Sequence, residues 1–373
     1  MVGILLPARV WHTRQNRELT LSSVPTLNGE LLMPANIDQT TGAPAVMTVG
    51  PAWHPLGKQL NAPATAADAL KFARLDWQVS KLPLFAGEPE HRPLAQHCAV
   101  VRQDVWSRPN WIPGKNDGVL GVVGDSYETL QNEEAFRFFD PIVGQKAAAY
   151  HAAGALGKGE RVWILAKLPQ DIQVIGDDIT NKYLLLSNSH DGTSAVQIKF
   201  TPVRVVCENT LTQALSQGPA LRITHTRDLR ERLMIAQNLL RRIQVRYDEL
   251  ATVFQNMAKL PVNNGKLDEY LNGIFPDPTQ RQDENRHQRA LQQAKYDREG
   301  AAYLFEKGRG NGEPKVKGTL WAAYNGVAEY IDYRRFEKAS VDRQLNAIWF
   351  GEGYSAKARA FTIAQKCIKA WAN

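Results

Sequence analysis

Cysteine is scarce in this chain, which holds three cysteines among 373 residues. Cys98, Cys207 and Cys367 stand far apart, so no CxxC pair or cysteine–histidine spacing indicates zinc, and no disulfide framework indicates secretion. Long apolar runs are missing as well, because no stretch reaches the roughly eighteen apolar residues of a membrane-spanning helix. The sequence therefore predicts a reduced, cytoplasmic protein without a membrane span.

Two further absences concern the first residues and nucleotide binding. Residues 1–12 contain a short apolar run but neither a basic segment before it nor a cleavage site after it, so we do not expect a signal peptide. Gly118, Gly121 and Gly124 lie close together without forming GxGxxG, and no GxxxxGK[ST] sequence occurs. The sequence therefore predicts no nucleotide cofactor and no zinc site.

The charge is moderately basic overall and strongly basic in one segment. Lys and Arg number 45 against 38 Asp and Glu, and the sequence pI is about 9.2. Residues 199–246 contain nine cations and three acids. The cations are Lys199, Arg204, Arg222, Arg227, Arg230, Arg232, Arg241, Arg242 and Arg246. This local excess favours a polyanionic partner, although a run of charge on a helix is more often a solvated face.

The pattern of elements predicts an α+β fold, with an antiparallel sheet and flanking helices followed by a mainly helical C-terminal half. Residues 1–65 are rich in Pro, Gly, Thr and Asn and are predicted to be an extended N-terminal arm. Residues 66–220 are the predicted α+β core domain, because no helix separates the successive strands within it. Residues 221–373 are the predicted helical region.

Residues 181–213 carry the clearest local pattern. Two strands are predicted there, and Asp191-Gly192 between them is a favoured pair for a two-residue hairpin turn. A cluster of capping residues then predicts a helix over 208–217, with Arg204 just before it. A cation and capping residues at a strand-to-helix junction indicate a functional site whose chemistry stays open.

The longest predicted helix covers residues 224–259, and further helices are predicted over 283–305, 319–334 and 356–371. Apolar residues recur along the longest helix at spacings of four and three, which is the pattern of a packing stripe. The stripe consists of Leu229, Leu233, Ala236, Leu240, Ile243, Tyr247, Leu250, Phe254 and Met257. It predicts either packing against the chain's own C-terminal helices or association of subunits, and we expect a homo-oligomer.

A strand predicted over residues 160–168 combines an aromatic residue with cations. Arg161, Trp163 and Lys167 alternate onto one of its faces. This arrangement suits single-stranded nucleic acid, because bases stack on the ring while cations contact phosphates. The alternative is that Trp163 packs beneath a helix and the two cations extend to water.

A group of acids and a histidine offers a catalytic alternative. Asp177 and Asp178, with Glu208, could hold Mg²⁺ for chemistry on nucleic acid. The competing interpretation is that the two adjacent acids are ordinary turn residues, because they lie between strands. His190 and Asp191 also fit a turn, and no spacing typical of a nuclease or polymerase occurs.

Five separated segments carry recognisable motifs. They are LGVVGDSYETLQNEEAF (120–136), SNSHDGTSAV (187–196), PVRVVCENTL (202–211), WAAYNGVAEYIDYRR (321–335) and WFGEGYSAKARAF (349–361). Together they resemble the phage/plasmid-like protein family, which is domain-of-unknown-function family 932, over residues 95–370. The resemblance implies a mobile-element setting inside a bacterial cell, and it implies no activity because none is established for the family.

The order of helix, antiparallel strands and helix also resembles the core of the single-strand annealing proteins that phages encode. This likeness implies a basic groove for single-stranded DNA, ring-like assembly, and a role in phage or plasmid replication and recombination. The predicted DNA-binding residues are Arg161, Trp163, Lys167, Lys199, Arg204, Arg241 and Arg242. We predict no catalytic residue, cofactor or metal. The alternatives are a Mg²⁺-dependent nucleic-acid-processing enzyme and an oligomeric interaction protein that acts on a host factor.

Overall fold

The structure is a computed structural model. It describes residues 26–27, 30–31, 38–49, 57–62, 64–87, 91–110, 117–140, 148–204, 209–210, 221–240, 243–280, 283–337, 347–348 and 351–371. The chain divides into two compact units, Met1–Ala35 and Asn36–Asn373. In the first unit the strands β1 (Thr26–Leu27) and β2 (Glu30–Leu31) pair antiparallel. All other described elements belong to the second unit.

The second unit combines sheets and helices, which confirms the predicted α+β class. Its described strands are β3 (Val46–Val49), β4 (Lys58–Leu60), β5 (Val79–Ala86), β6 (Arg92–Arg102), β7 (Val119–Gly124), β8 (Ala149–Leu156), β9 (Arg161–Lys167), β10 (Ile172–Ile175), β11 (Asp178–Asn181), β12 (Tyr183–Ser189), β13 (Val196–Phe200), β14 (Val203–Arg204), β15 (Asn209–Thr210) and β16 (Leu221–Ile223). Its described helices are α1 (Ala66–Phe72), α2 (Gln103–Trp106), α3 (Asn132–Arg137), α4 (Leu229–Leu240), α5 (Ile243–Lys259), α6 (Asn264–Ile274), α7 (Glu284–Lys307), α8 (Leu320–Tyr333) and α9 (Glu352–Trp371). None of these helices has the length and apolar character needed to cross a membrane.

Seven of the described strands form the central sheet, in the order β16-β13-β12-β9-β8-β3-β4. Neighbouring strands pair antiparallel, except that β3 and β4 are parallel. β3 and β4 come from the stretch predicted as an extended arm, and β16 comes from the first residues of the predicted helical region. These strands are too short for their alternation to stand out in the sequence, so pairing with longer strands is what defines them.

One face of the central sheet lies on the hydrophobic core. Val162, Ile164 and Ala166 of β9 are buried there, as the alternation of the sequence predicted. α1 packs against β3 and β8, and Thr65 caps its N-terminus by accepting a hydrogen bond from the backbone N–H of Asp68. Because successive strand residues point to opposite faces, the intervening residues of β9 must lie on the second face of the sheet.

The hairpin of β12 and β13 forms as predicted, but the prediction of a two-residue turn is wrong. Residues 190–195 connect the two strands. Asp191 shapes this loop, because its carboxylate accepts hydrogen bonds from the backbone N–H and the hydroxyl of Thr193 at 2.9 and 2.7 Å. Gly192 follows with a φ of +76°, a conformation that favours glycine.

The predicted helix start at residues 208–210 is also wrong where the structure describes it. Asn209 and Thr210 form β15, which pairs antiparallel with β14. The backbone N–H and C=O groups of these two residues take part in this pairing, so they do not begin a helix. β14 and β15 join β10 and β11 in a separate four-stranded sheet, while β5, β6 and β7 form a third sheet. Glu208 and the remainder of the predicted helix lie outside the described residues.

The long helix predicted over 224–259 is described as the two segments α4 and α5, and residues 241–242 between them lie outside the described part. The stripe residues whose side chains are described are all buried: Leu229, Leu233, Ala236, Tyr247, Leu250, Phe254 and Met257. α5 packs on β10, α8 and α9. This part of the stripe therefore serves packing within the chain, which is one of the two alternatives that the sequence left open.

Candidate nucleic-acid interface

The second face of the central sheet gathers cationic side chains from three strands. Residues paired directly across antiparallel strands share a face, and Arg161 pairs with Ser189 in this way. On the same face Leu185 of β12 lies between Leu165 of β9 and Lys199 of β13. Gln197 of β13 pairs with Arg222 of β16. Alternation along each strand therefore places Arg161, Lys199 and Arg222 on one face, and we call these three residues the cationic cluster.

Lys199 is the most deeply placed member of the cationic cluster. Its side chain is 3% exposed, and its Nζ lies 3.9 Å from the centroid of the Tyr354 ring at the start of α9. Burial, followed by repulsion from Arg161, Arg222 and Lys357, lowers the pKa of Lys199 to about 7. The repulsion shows that cations from three different strands are close enough to interact.

Arg161 occupies the edge of the cluster beside the loop of residues 190–195. Burial lowers the pKa of its guanidinium, and the carboxylate of Asp191 opposes that shift. Burial also acts to raise the pKa of Asp191, but hydrogen bonds from Ser189 and Thr193 outweigh it and leave that pKa below its ordinary value. The loop therefore presents an ionised carboxylate that stabilises the positive charge of Arg161.

Trp163 shares the face of the cluster but lies in the interior. Its side chain is only 5% exposed. Gly154 is its partner across β8, and a Cβ added at that glycine would lie 3.0 Å from the indole ring. The indole thus fills the space above a glycine of the neighbouring strand and is buried in the sheet, so it presents no surface ring in the described structure.

Of the other predicted DNA-binding residues, only Lys167 has a described side chain, and it does not join the cluster. Lys167 shares the sheet face but lies at the far end of β9, where it forms an ion pair with Asp171 at 4.0 Å. Arg204 belongs by its backbone to the four-stranded sheet, and its side chain is outside the described part. Arg241 and Arg242 also lie outside the described residues.

Acidic partners engage the basic residues described on α4. The Nε of Arg230 lies 2.9 Å from Glu134 of α3, and its Nη1 lies 3.9 Å from Glu128. Arg232 pairs with Asp228 at 2.9 Å. These ion pairs reduce the local excess of positive charge that the sequence indicated, so the sheet face is the stronger candidate for binding a polyanion.

The two described acids of the catalytic alternative, Asp177 and Asp178, have different surroundings. Asp178 is buried and accepts a hydrogen bond from the indole N–H of Trp321 at 2.9 Å, while Asp177 lies in the turn before β11. Among the described residues, no group of three or more His, Cys, Asp or Glu is arranged to hold a metal ion. Asp178 therefore has a structural partner in Trp321, and the described residues form no metal site around it.

Two of the sequence motifs meet beside Arg161. Tyr127 donates a hydrogen bond from its hydroxyl to the carbonyl of Ser189 at 2.6 Å. His190 is fully buried, and its Nε2 lies 3.0 Å from Oδ1 of Asn132. Burial, with smaller contributions from neighbouring charges, lowers the pKa of His190 to about 3, so the ring is neutral at physiological pH. The motifs around residues 120–136 and 187–196 thus position the loop that contacts the cluster.

Sequence reasoning did not include Arg222 in the predicted site. The sequence holds one weak indication of a strand there, because Leu221 and Ile223 flank the arginine and alternate with it. Only the register between β16 and β13 places Arg222 opposite Gln197 and near Lys199. A residue in a three-residue edge strand gains its neighbours entirely from tertiary pairing.

The fold and this face together define an α+β protein with a cationic cluster on one side of its central sheet. A family model described as a domain of unknown function (DUF932) matches residues 119–349. That match covers more than half of the chain, so the chain belongs to this family, as the sequence motifs predicted. No curated protein and no solved structure matches the chain.

Proposed function

We propose that this protein binds single-stranded DNA through the cationic cluster of the central sheet. The observation that carries the proposal is that Arg161, Lys199 and Arg222, from three different strands, lie on one face of the central sheet. We place this activity in annealing during phage or plasmid replication and recombination, in the cytoplasm of a bacterial host.

Electrostatics supports this proposal. Bringing like charges together beside a buried lysine raises the free energy of the protein without ligand. A polyanion next to the cluster relieves the repulsion, because each phosphate favours the charged forms of the surrounding side chains. The charged forms of these side chains are therefore stabilised most when a phosphate backbone lies next to the cluster.

The depth of the cluster supports a single strand over a duplex. Arg222 is exposed, Arg161 is half-buried and Lys199 is buried, so the charges recede from the surface into the sheet face. A flexible single strand can bring phosphates to both Arg222 and the recessed Arg161, whereas a stiff duplex contacts only the outermost charge. Lys199 lies beneath the ring of Tyr354 and acts on the strand through its electric field. Binding through phosphates without an exposed aromatic ring also predicts little dependence on base sequence.

A charge reversal at Arg222 tests the proposal. Fluorescence anisotropy with a labelled oligothymidylate should give an affinity that falls as salt rises, with a log–log slope of about −0.7 for each phosphate contact. The R222E variant should bind at least tenfold more weakly and with a shallower slope, because an exposed contact becomes repulsive.

Arg286 provides the matched control, because it is an exposed arginine on α7 with an ion pair to Asp283. The R286E variant changes the net charge by the same amount as R222E, and it should bind nearly as wild type does. Equal loss in both variants would assign the effect to net charge alone. An absence of binding by the wild type at low salt would overturn the proposal.

A further inference from the structure

Lys199 lies among other positive charges beneath the surface of the cationic cluster. Its side chain is 3% exposed, and its Nζ lies 3.9 Å from the ring centroid of Tyr354, whose hydroxyl has a pKa that burial raises, so the ring adds no charge. Arg161 and Arg222 share its sheet face, and the buried Lys357 adds a cation from α9. Burial and like charge both favour a neutral amine over an ammonium ion. Lys199 is therefore the member of the cluster that loses its charge most easily.

The other described groups around this lysine leave that balance in place. Leu185 of β12 lies directly opposite the lysine and carries no charge. The carboxylate of Asp191 acts on Arg161. Asp332 of α8 forms an ion pair with Lys357 at 2.7 Å. Both carboxylates thus balance other cations, and a phosphate from outside the chain would add negative charge that favours the ammonium form of the lysine.

We propose that Lys199 takes up a proton when a phosphate backbone binds the cationic cluster, so that pH regulates the binding of single-stranded DNA. The inference rests on the function proposed above and states how that site is regulated. The step moves one proton from the solvent to the neutral Nζ and forms no other bond. It is favourable because the negative charge of a phosphate stabilises the ammonium ion more than the amine.

The sign of the pH dependence follows from the free and the bound states of the lysine. Burial, followed by repulsion from the neighbouring cations, lowers the pKa of Lys199 to about 7 in the protein without DNA. A bound phosphate backbone raises this pKa towards its ordinary value of 10.5. Between the free and the bound pKa the complex holds a proton that the free protein lacks, so the affinity falls as pH rises. Each unit by which DNA raises the pKa lowers the affinity about tenfold across that range.

Isothermal titration calorimetry on the full chain measures the proton uptake directly. Oligothymidylate is titrated at about pH 8 in HEPES and in Tris at equal ionic strength, because these buffers differ in their enthalpy of ionisation. The difference between the observed enthalpies gives the number of protons taken up, which should be about 0.4 or more for the wild type. Fluorescence anisotropy at constant salt should show an affinity that falls at least about threefold from about pH 7 to about pH 9.

Variants of Lys199 separate its proton from those of other titrating groups. K199R keeps its positive charge throughout this pH range, because a guanidinium does not lose its proton, so it should bind DNA without proton uptake. K199M, which serves if K199R folds poorly, should bind more weakly and also take up no proton. K295M is the control, because Lys295 is a 63% exposed lysine on α7 that pairs with Glu299, and its proton uptake should match that of the wild type.

The outcomes distinguish this inference from the proposed function on which it rests. Binding by the wild type without proton uptake would overturn the inference and leave the proposed function standing. The same holds if K199M takes up as many protons as the wild type, or if K295M loses the uptake to the same extent as K199M. An absence of binding by the wild type at low salt would overturn both.

Discussion

Lys199 holds its ammonium group where burial and neighbouring cations both oppose the charge. Its folded-state pKa is about 7, whereas its ordinary value is 10.5. Between these two values the unfolded chain binds a proton that the folded chain has released. The wild type should therefore lose stability from this group as pH falls from about 10 to about 7, with the full penalty present below that range.

Replacing Lys199 with methionine should remove this dependence, because methionine has a similar shape and no charge to bury. In urea unfolding, K199M should gain stability over wild type at about pH 7, and the gain should shrink near pH 10 where the wild-type lysine is neutral. DNA affinity should fall in the same variant. A stability difference that is the same at both pH values would contradict the assigned cause.

β7 and the loop of residues 190–195 depend on each other through a close approach of their backbones. A Cβ added at Gly121 would lie 2.6 Å from the Cα of Asp191, a distance that the two segments cannot accommodate without moving. Tyr127, just beyond β7, bonds to Ser189 at the other end of this contact. The position of Asp191, and with it the support for Arg161, therefore depends on β7.

We expect Gly121→Ala to lower the free energy of unfolding by about 1–3 kcal/mol, because the added methyl group must displace backbone. The variant should also weaken DNA binding, since Asp191 moves away from Arg161. Gly312→Ala is the control, because a Cβ at Gly312 meets nothing within 4 Å. Thermal melting and anisotropy on both variants check this, and a G121A protein as stable as G312A would contradict it.

α5 connects the strand-rich and helical parts of the second unit. It packs on β10, which precedes it in the chain, and on α8 and α9, which follow it. Tyr247 reaches from the helix to the sheet, where its hydroxyl donates to the carbonyl of Tyr183 at 2.5 Å. The hydrophobic core likewise includes residues from β9, α5, α8 and α9 without a break. The second unit should therefore unfold in one cooperative transition.

Leu250→Ala tests this connection, because Leu250 is 1% exposed on α5. The cavity should cost about 2–5 kcal/mol, and far- and near-ultraviolet circular dichroism should report one lowered midpoint. The mass by sedimentation should equal that of wild type at each concentration, since the side chain faces the interior. Two separate transitions, or a folded L250A protein whose mass differs from that of wild type, would show that the stripe has another role.

The sequence by itself determined the helices and strands that depend on interactions between residues close together in the chain. The alternation of β9 and β13 identified two central strands, and Asp283 and Thr319 mark the starts of α7 and α8 because each side chain caps the helix that follows it. The α+β class and the family also followed from the chain alone. Hydrophobic periodicity and capping act over a few residues, so they are legible without knowledge of the fold.

Tertiary structure alone decided which residues share a surface. Arg222 joins Lys199 only through the register of a three-residue edge strand, and Trp163 is interior because Gly154 on another strand leaves room for the indole. Asn209 and Thr210 became a strand through pairing with Val203 and Arg204, although they are good capping residues. Each of these outcomes depends on pairing between separate strands, which outweighs the conformational preference of the residues themselves, and no local pattern records that pairing.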